Sequence, residues 1–132
     1  MQKMMKILLI DDNSDITEML SKYLKIEGHN CKVCNDGRNG LSLILEQEFD
    51  VVLLDLAMPE FTGYDLVESL EKMGRLEELH KIVVFTASSI GNSEIEKLLQ
   101  KGVRMCLKKP VRLDQLLNYL EGLNKKDFIH KI

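Results

Sequence analysis

Three short, uninterrupted apolar runs, Lys6 to Ile10 (KILLI), Val51 to Leu54 (VVLL) and Ile82 to Phe85 (IVVF), constrain this chain more than any other feature. Runs rich in branched residues and lacking polar alternation suit central strands buried on both faces. Cys31 to Cys34 and Met105 to Lys108 are weaker candidates that suit edge strands. Between the runs the apolar spacing becomes helical. Ile16, Met19, Leu20, Tyr23 and Leu24 form one stripe, and Leu113, Leu116, Leu117, Leu120 and Leu123 another. Leu41 to Leu45, Leu66 to Leu70 and Ile95 to Leu99 supply three more helices. Ser14 and Ser93 are the expected N-caps, and Gly28 and Gly102 the expected stops. Five strands and five helices in strict alternation predict right-handed crossovers and a parallel sheet with helices on both faces, a doubly wound α/β fold.

The 132 residues fit a single domain large enough to bury a core without disulfides or a structural metal. No apolar run approaches the roughly 18 residues of a membrane span. The opening MQKMMK leads into a run too short for a signal peptide, so we expect a cytoplasmic protein with no membrane association. A net charge of -3 with interspersed signs gives no electrostatic reason to expect a nucleic-acid partner. Cys31 and Cys34 form a lone C-x-x-C. In an extended segment residues three apart face opposite sides, and no second pair completes a zinc site, so both are expected as reduced, packed thiols.

In a doubly wound sheet the site lies beyond the carboxyl ends of the strands, at the topological switch point. Asp11 and Asp12 follow the first strand, Asp55 the third, Thr86 and Ala87 the fourth, and Lys109 and Pro110 the fifth. Two carboxylates about 4 Å apart at an effective dielectric of about 20 repel by roughly 4 kcal/mol, or about three pKa units. Three cannot stay ionised together without a cation. An all-oxygen donor set suits Mg²⁺, which keeps waters and pairs with phosphate oxygens. A carboxylate can also attack phosphorus to give an aspartyl phosphate, with Mg²⁺ and a lysine offsetting the charge on the equatorial oxygens. Lys109 suits a point-charge phosphate partner and Thr86 a hydroxyl donor. Asp36, Asp50 and Asp65 end no core strand and are expected in loop or helix-start roles.

From Lys6 to about Leu123 the chain resembles the response-regulator receiver domain of two-component signalling. The resemblance is carried by the acidic pair in LLIDDN, by LLDLAMPEFTGYDL with Pro59 and Gly63, by FTAS, and by the Lys-Pro after the fifth strand. It implies a CheY-like, flavodoxin-like (βα)5 domain with strand order 2-1-3-4-5. It further implies that Asp55 is the phosphoacceptor, supplied by a sensor histidine kinase or a histidine phosphotransfer protein. Asp12 would bind Mg²⁺ directly and Asp11 largely through water, with Asp55 and the backbone carbonyl of Ala57 completing the ligands. Thr86 and Lys109 would contact the phosphoryl group, Thr86 moving toward it on activation. Ile16, Pro110 and Val111 lie where such domains dock their phosphodonor, and the Lys109-Pro110 bond is expected to be cis. Lys108 competes with Lys109: counting from Thr86 favours Lys108, while counting from Gly102 and Pro110 favours Lys109, the nearer landmarks.

This sequence departs from the family at Cys106. An aromatic residue usually stands three positions before the active-site lysine, so coupling through its rotamer is in question here. We expect a receiver domain over 1–123 and a short tail over 124–132, too short for an output domain. Such a stand-alone receiver acts by docking to a downstream partner or by passing phosphate on. A flavodoxin-like electron carrier shares the architecture, but Asp11 and Asp12 would repel the phosphate its first loop must cradle. A haloacid-dehalogenase phosphatase needs a second aspartate where Ala57 stands. A phosphorylation-independent interaction module on the same fold is the remaining alternative.

Overall fold

The computed structural model describes residues 3–87 and 89–129, with side chains through residue 123. Five parallel strands, β1 (Lys6–Ile10), β2 (Asn30–Cys34), β3 (Val51–Leu54), β4 (Ile82–Thr86) and β5 (Met105–Lys108), form one sheet in the order β2-β1-β3-β4-β5. The three continuous apolar runs occupy its centre and the two weaker segments its edges, as their patterns predict.

Period-two alternation divides the strand side chains between two cores. Leu8, Ile10, Val52, Leu54, Ile82 and Val84 face α2 (Gly37–Glu46), α3 (Gly63–Lys72), α4 (Leu76–Leu79) and α5 (Asn92–Lys101). Ile7, Leu9, Val51, Leu53, Val83, Phe85 and Leu107 face α1 (Ser14–Ile26) and α6 (Leu113–Ile129). Cys34 belongs to the first core and Cys31 to the second, so the C-x-x-C is split across the sheet. Burial pushes the Cys31 thiol up to about 11, which keeps it protonated and inert.

Three local features differ from the expected pattern. The strict alternation is broken by α4, a single turn that buries Leu79 and is too short to carry a helical period. Asn13, not Ser14, caps α1, because its side chain accepts from the Asp15 and Ile16 amides and makes Ser14 the first helical residue. Gly91, not Ser93, is the N-cap of α5, and Glu94 reaches back to its amide. Gly102 does end α5, in the left-handed region at φ 115°. Asp36 caps α2, Asp65 closes the capping box of α3, and Asp50 accepts from the Lys6 amide, the local roles expected of them. The final helix continues through Ile129, so the expected tail begins inside it; residues 130–132 lie outside the described chain. No described helix is long and apolar enough to cross a membrane.

Candidate functional site

Strand register brings the polar residues together. Ile10 pairs with Leu54, so Asp11 and Asp55 emerge side by side one residue past their strands. The Asp11 amide donates to the Cys34 carbonyl (3.1 Å) and the Asp55 amide to the Ile10 carbonyl (2.9 Å), extending the ladder to the carboxylates themselves. Leu54 pairs with Val84 and Thr86 with Lys108, which sets Thr86 and then Lys109 along the same edge.

Asp11 and Asp55 are buried and Asp12 is exposed. One carboxylate oxygen from each lies within 4.8 Å of the other two. Lys109 Nζ stands 3.1 Å from Asp11 Oδ2, and Thr86 Oγ1 donates to Asp55 Oδ1 at 3.2 Å. Lys108 is exposed, for a reason the pleat supplies. Lys109 has the parity of Leu107, on the side to which Asp11 and Asp55 project, whereas Lys108 has the opposite one. The Lys109-Pro110 bond is cis, as expected.

Burial, followed by the Asp11 charge, raises the Asp55 pKa. Lys109, the Thr86 hydroxyl and a backbone hydrogen bond from Ala57 pull the other way. Burial and the Asp11 charge thus disfavour the ionised form of Asp55, a cost that a bound cation would relieve. Three converging hard oxygen donors with no thiolate or imidazole among them fit Mg²⁺. Ala57 is exposed in the loop two residues beyond Asp55. Ile16 and Val111 are half-buried against the α1 and α6 core, and Pro110, next to Val111 in sequence, is exposed.

Three residues that the strand-end logic passes over also build the site. The Asn13 amide donates to Asp11 Oδ1 (3.0 Å) while its side chain caps α1, so one residue fixes both the carboxylate and the helix start. Asn35 Nδ2 donates to the Asp11 carbonyl (2.8 Å) and to Thr17 Oγ1 (3.1 Å), tying the acidic loop to β2 and α1. Phe85 places its ring centroid 5.2 Å from Lys109 Nζ. The first two carry a weak sequence signal, a short polar side chain at a helix start or strand end. The third requires the register of β4 against β3.

The carboxyl edge of this doubly wound sheet thus carries an acidic cluster, a hydroxyl and a lysine together. The chain belongs to the response regulator receiver domain family, whose model matches residues 7–121. The sensor histidine kinase RcsC of Salmonella typhi is 34% identical over 112 residues, or 85% of this chain, and the chain spans only 11% of that kinase. The receiver domain of the Francisella response regulator 1452 superposes with a TM-score of 0.81 at 25% identity, covering 93% of this chain and 98% of that one. The response regulator TrrA of Thermotoga maritima, solved in complex with Mg²⁺-BeF, gives a TM-score of 0.76 at 26% identity, with 91% and 99% covered.

Proposed function

We propose that this receiver domain accepts a phosphoryl group on Asp55 from a phosphohistidine of a sensor histidine kinase or histidine phosphotransfer protein, in a Mg²⁺-dependent reaction. The observation that carries this reading is the cluster itself, three carboxylate oxygens within 4.8 Å of one another beside a lysine, at the open edge of the sheet. An Asp55 oxygen attacks phosphorus, a P–O bond forms, the P–N bond breaks, and the imidazole leaves with the bonding pair. Asp11, Asp12 and Asp55 with the Ala57 carbonyl would hold Mg²⁺, an ion present with BeF in the structure of the similar regulator TrrA. The bound ion offsets charge developing on the phosphoryl oxygens. Lys109 shifts its ammonium from Asp11 toward the incoming group, and the Thr86 hydroxyl donates to it. The donor presents its phosphoryl group at the open carboxyl edge of the sheet, on a surface that includes Ile16, Pro110 and Val111. The phosphorylated domain signals by docking to a partner or passes the phosphate on, itself turning over only through this self-catalysed transfer and hydrolysis.

Incubation with phosphoramidate in Mg²⁺ and in chelator tests this reading. Phosphate that is labile to hydroxylamine, forms only with Mg²⁺ and is lost in Asp55→Asn supports it. No phosphate under these conditions points to a domain that binds partners without phosphorylation, and an acid-stable phosphate places the modification on a hydroxyl side chain and overturns the assignment to Asp55.

A further inference from the structure

We propose that Phe85 is a positioning residue for Lys109, its ring holding the ammonium at the mouth of the acidic cluster while the lysine exchanges Asp11 for the phosphoryl group. This rests on the phosphotransfer reading of the site.

Register and pleat bring the two together. Phe85 follows Val84, the partner of Leu54, and so stands level with Asp55. It pairs with Leu107, and Lys109 lies two residues beyond Leu107 on the same face. Asp11, Asp55, Phe85 and Lys109 thus project from one side of the sheet edge. Phe85 is 8% exposed and packs in the core that includes Leu107, Leu116 and Leu117, so its ring is a fixed surface. Lys109 is partly exposed on a long stem, and an unheld lysine samples many rotamers. Its backbone is pinned, since the Lys109 amide donates to the Thr86 carbonyl at 2.7 Å, but its ammonium has only two described anchors: Asp11 Oδ2 at 3.1 Å and the Phe85 ring centroid at 5.2 Å. The second distance lies inside the roughly 6 Å reach of a cation–π contact.

The anchors differ in what happens to them during reaction. Asp11 belongs to the cation-binding set, so its hold on the lysine weakens when a divalent ion is bound. The ring is neutral and ligates no metal, so its hold persists. It also does not compete with the phosphoryl oxygens as a second carboxylate would. Phe85 therefore confines the ammonium without trapping it.

The test compares the full chain carrying Phe85→Leu, Phe85→Tyr, Lys109→Ala and the Phe85→Leu/Lys109→Ala pair. Phosphoramidate labelling rates and the Lys109 side-chain methylene NMR shifts of the metal-free protein are measured, with Phe85→Met as a second apolar replacement should leucine pack poorly. We expect Phe85→Leu to slow labelling about 3- to 10-fold, the range of a partly desolvated cation–π contact, and Phe85→Tyr to restore it. Leucine should slow the Lys109→Ala protein no further. The lysine methylenes should be ring-shifted upfield in wild type and Phe85→Tyr and not in Phe85→Leu. A wild-type rate in Phe85→Leu, an equal slowing without Lys109, or unshifted methylenes in wild type would overturn the proposal while leaving Asp55 phosphorylation intact. Failure of the wild-type protein itself to label would instead overturn the functional reading, and this inference with it.

Discussion

Asp55 is buried beside a second buried carboxylate, and its raised pKa, due first to burial and then to Asp11, means that folding favours its neutral form. The contribution to stability is present below the unfolded-state pKa of about 3.8 and is lost as pH rises through the higher folded value. In chelator at pH 7, Asp55→Asn should therefore resist denaturant better than wild type, and the gain should shrink as pH falls toward 4. A constant difference across that range would show that the asparagine acts by something other than charge. Asp12 belongs to the same electrostatic group but is exposed, so its neutralisation should leave metal-free stability no lower while removing a ligand. Asp12→Asn should gain less thermal stability from added Mg²⁺ than wild type, because stabilisation by a ligand follows ligand concentration over its Kd. Equal Mg²⁺ responses would take Asp12 out of the ligand set. Asp11, Asp12, Asp55, Thr86 and Lys109 were all legible in the sequence, since each follows an apolar run where such sheets carry their chemistry. Phe85 was not. It sits inside an apolar run, and only the register of β4 against β3 and β5 brings it level with Asp55 and near Lys109.

At the scale of elements, the acceptor is held by the start of α3. The Gly63 amide donates to the Leu56 carbonyl at 3.0 Å, and a Cβ there would stand 2.5 Å from the Asp55 carbonyl oxygen and 2.7 Å from Leu56 Cα. Both obstacles are backbone, so the loop itself would have to move. Gly63→Ala should cost about 1–3 kcal/mol by overpacking, read by urea denaturation, and should also weaken the Mg²⁺ response because Asp55 moves with the loop. A stable variant with a normal Mg²⁺ response would mean that the approach is looser than it looks. Asn13→Ala removes the α1 cap, worth about 1 kcal/mol. It should leave the Asp11 contact made by the residue-13 amide in place, so stability should fall more than Mg²⁺ affinity. The strands were readable because an unbroken apolar run has one good explanation in a sheet covered on both sides. The helix starts were not, because Asn13 and Ser14 are both good caps and only geometry chooses. The single turn of α4 has too few residues for any period to show.

Across the whole molecule, the question is how far a change at Asp55 travels. Cys106 is half-buried against the core beneath α5, with its thiol pushed up to about 11 by burial. A small side chain there displaces little surface when it changes rotamer. A ligand shifts an equilibrium only by its differential affinity for two states, so phosphorylation needs other contacts to reach the α5–β5–α6 face. With a beryllofluoride mimic, amide shifts should concentrate around Thr86 to Asn92 and the acidic cluster and touch Leu113 to Leu120 only slightly. Large shifts there, undiminished in Cys106→Ala, would reveal a strong switch built from other parts.

Exclusive phosphorylation of Asp55 is checked by labelling the protein with acetyl phosphate in Mg²⁺, reducing the acyl phosphate with borohydride and mapping the resulting homoserine by peptide mass spectrometry. Homoserine is expected at position 55 and nowhere else, with no label in Asp55→Asn. Reduction at any other aspartate, or label that persists in Asp55→Asn, would contradict it.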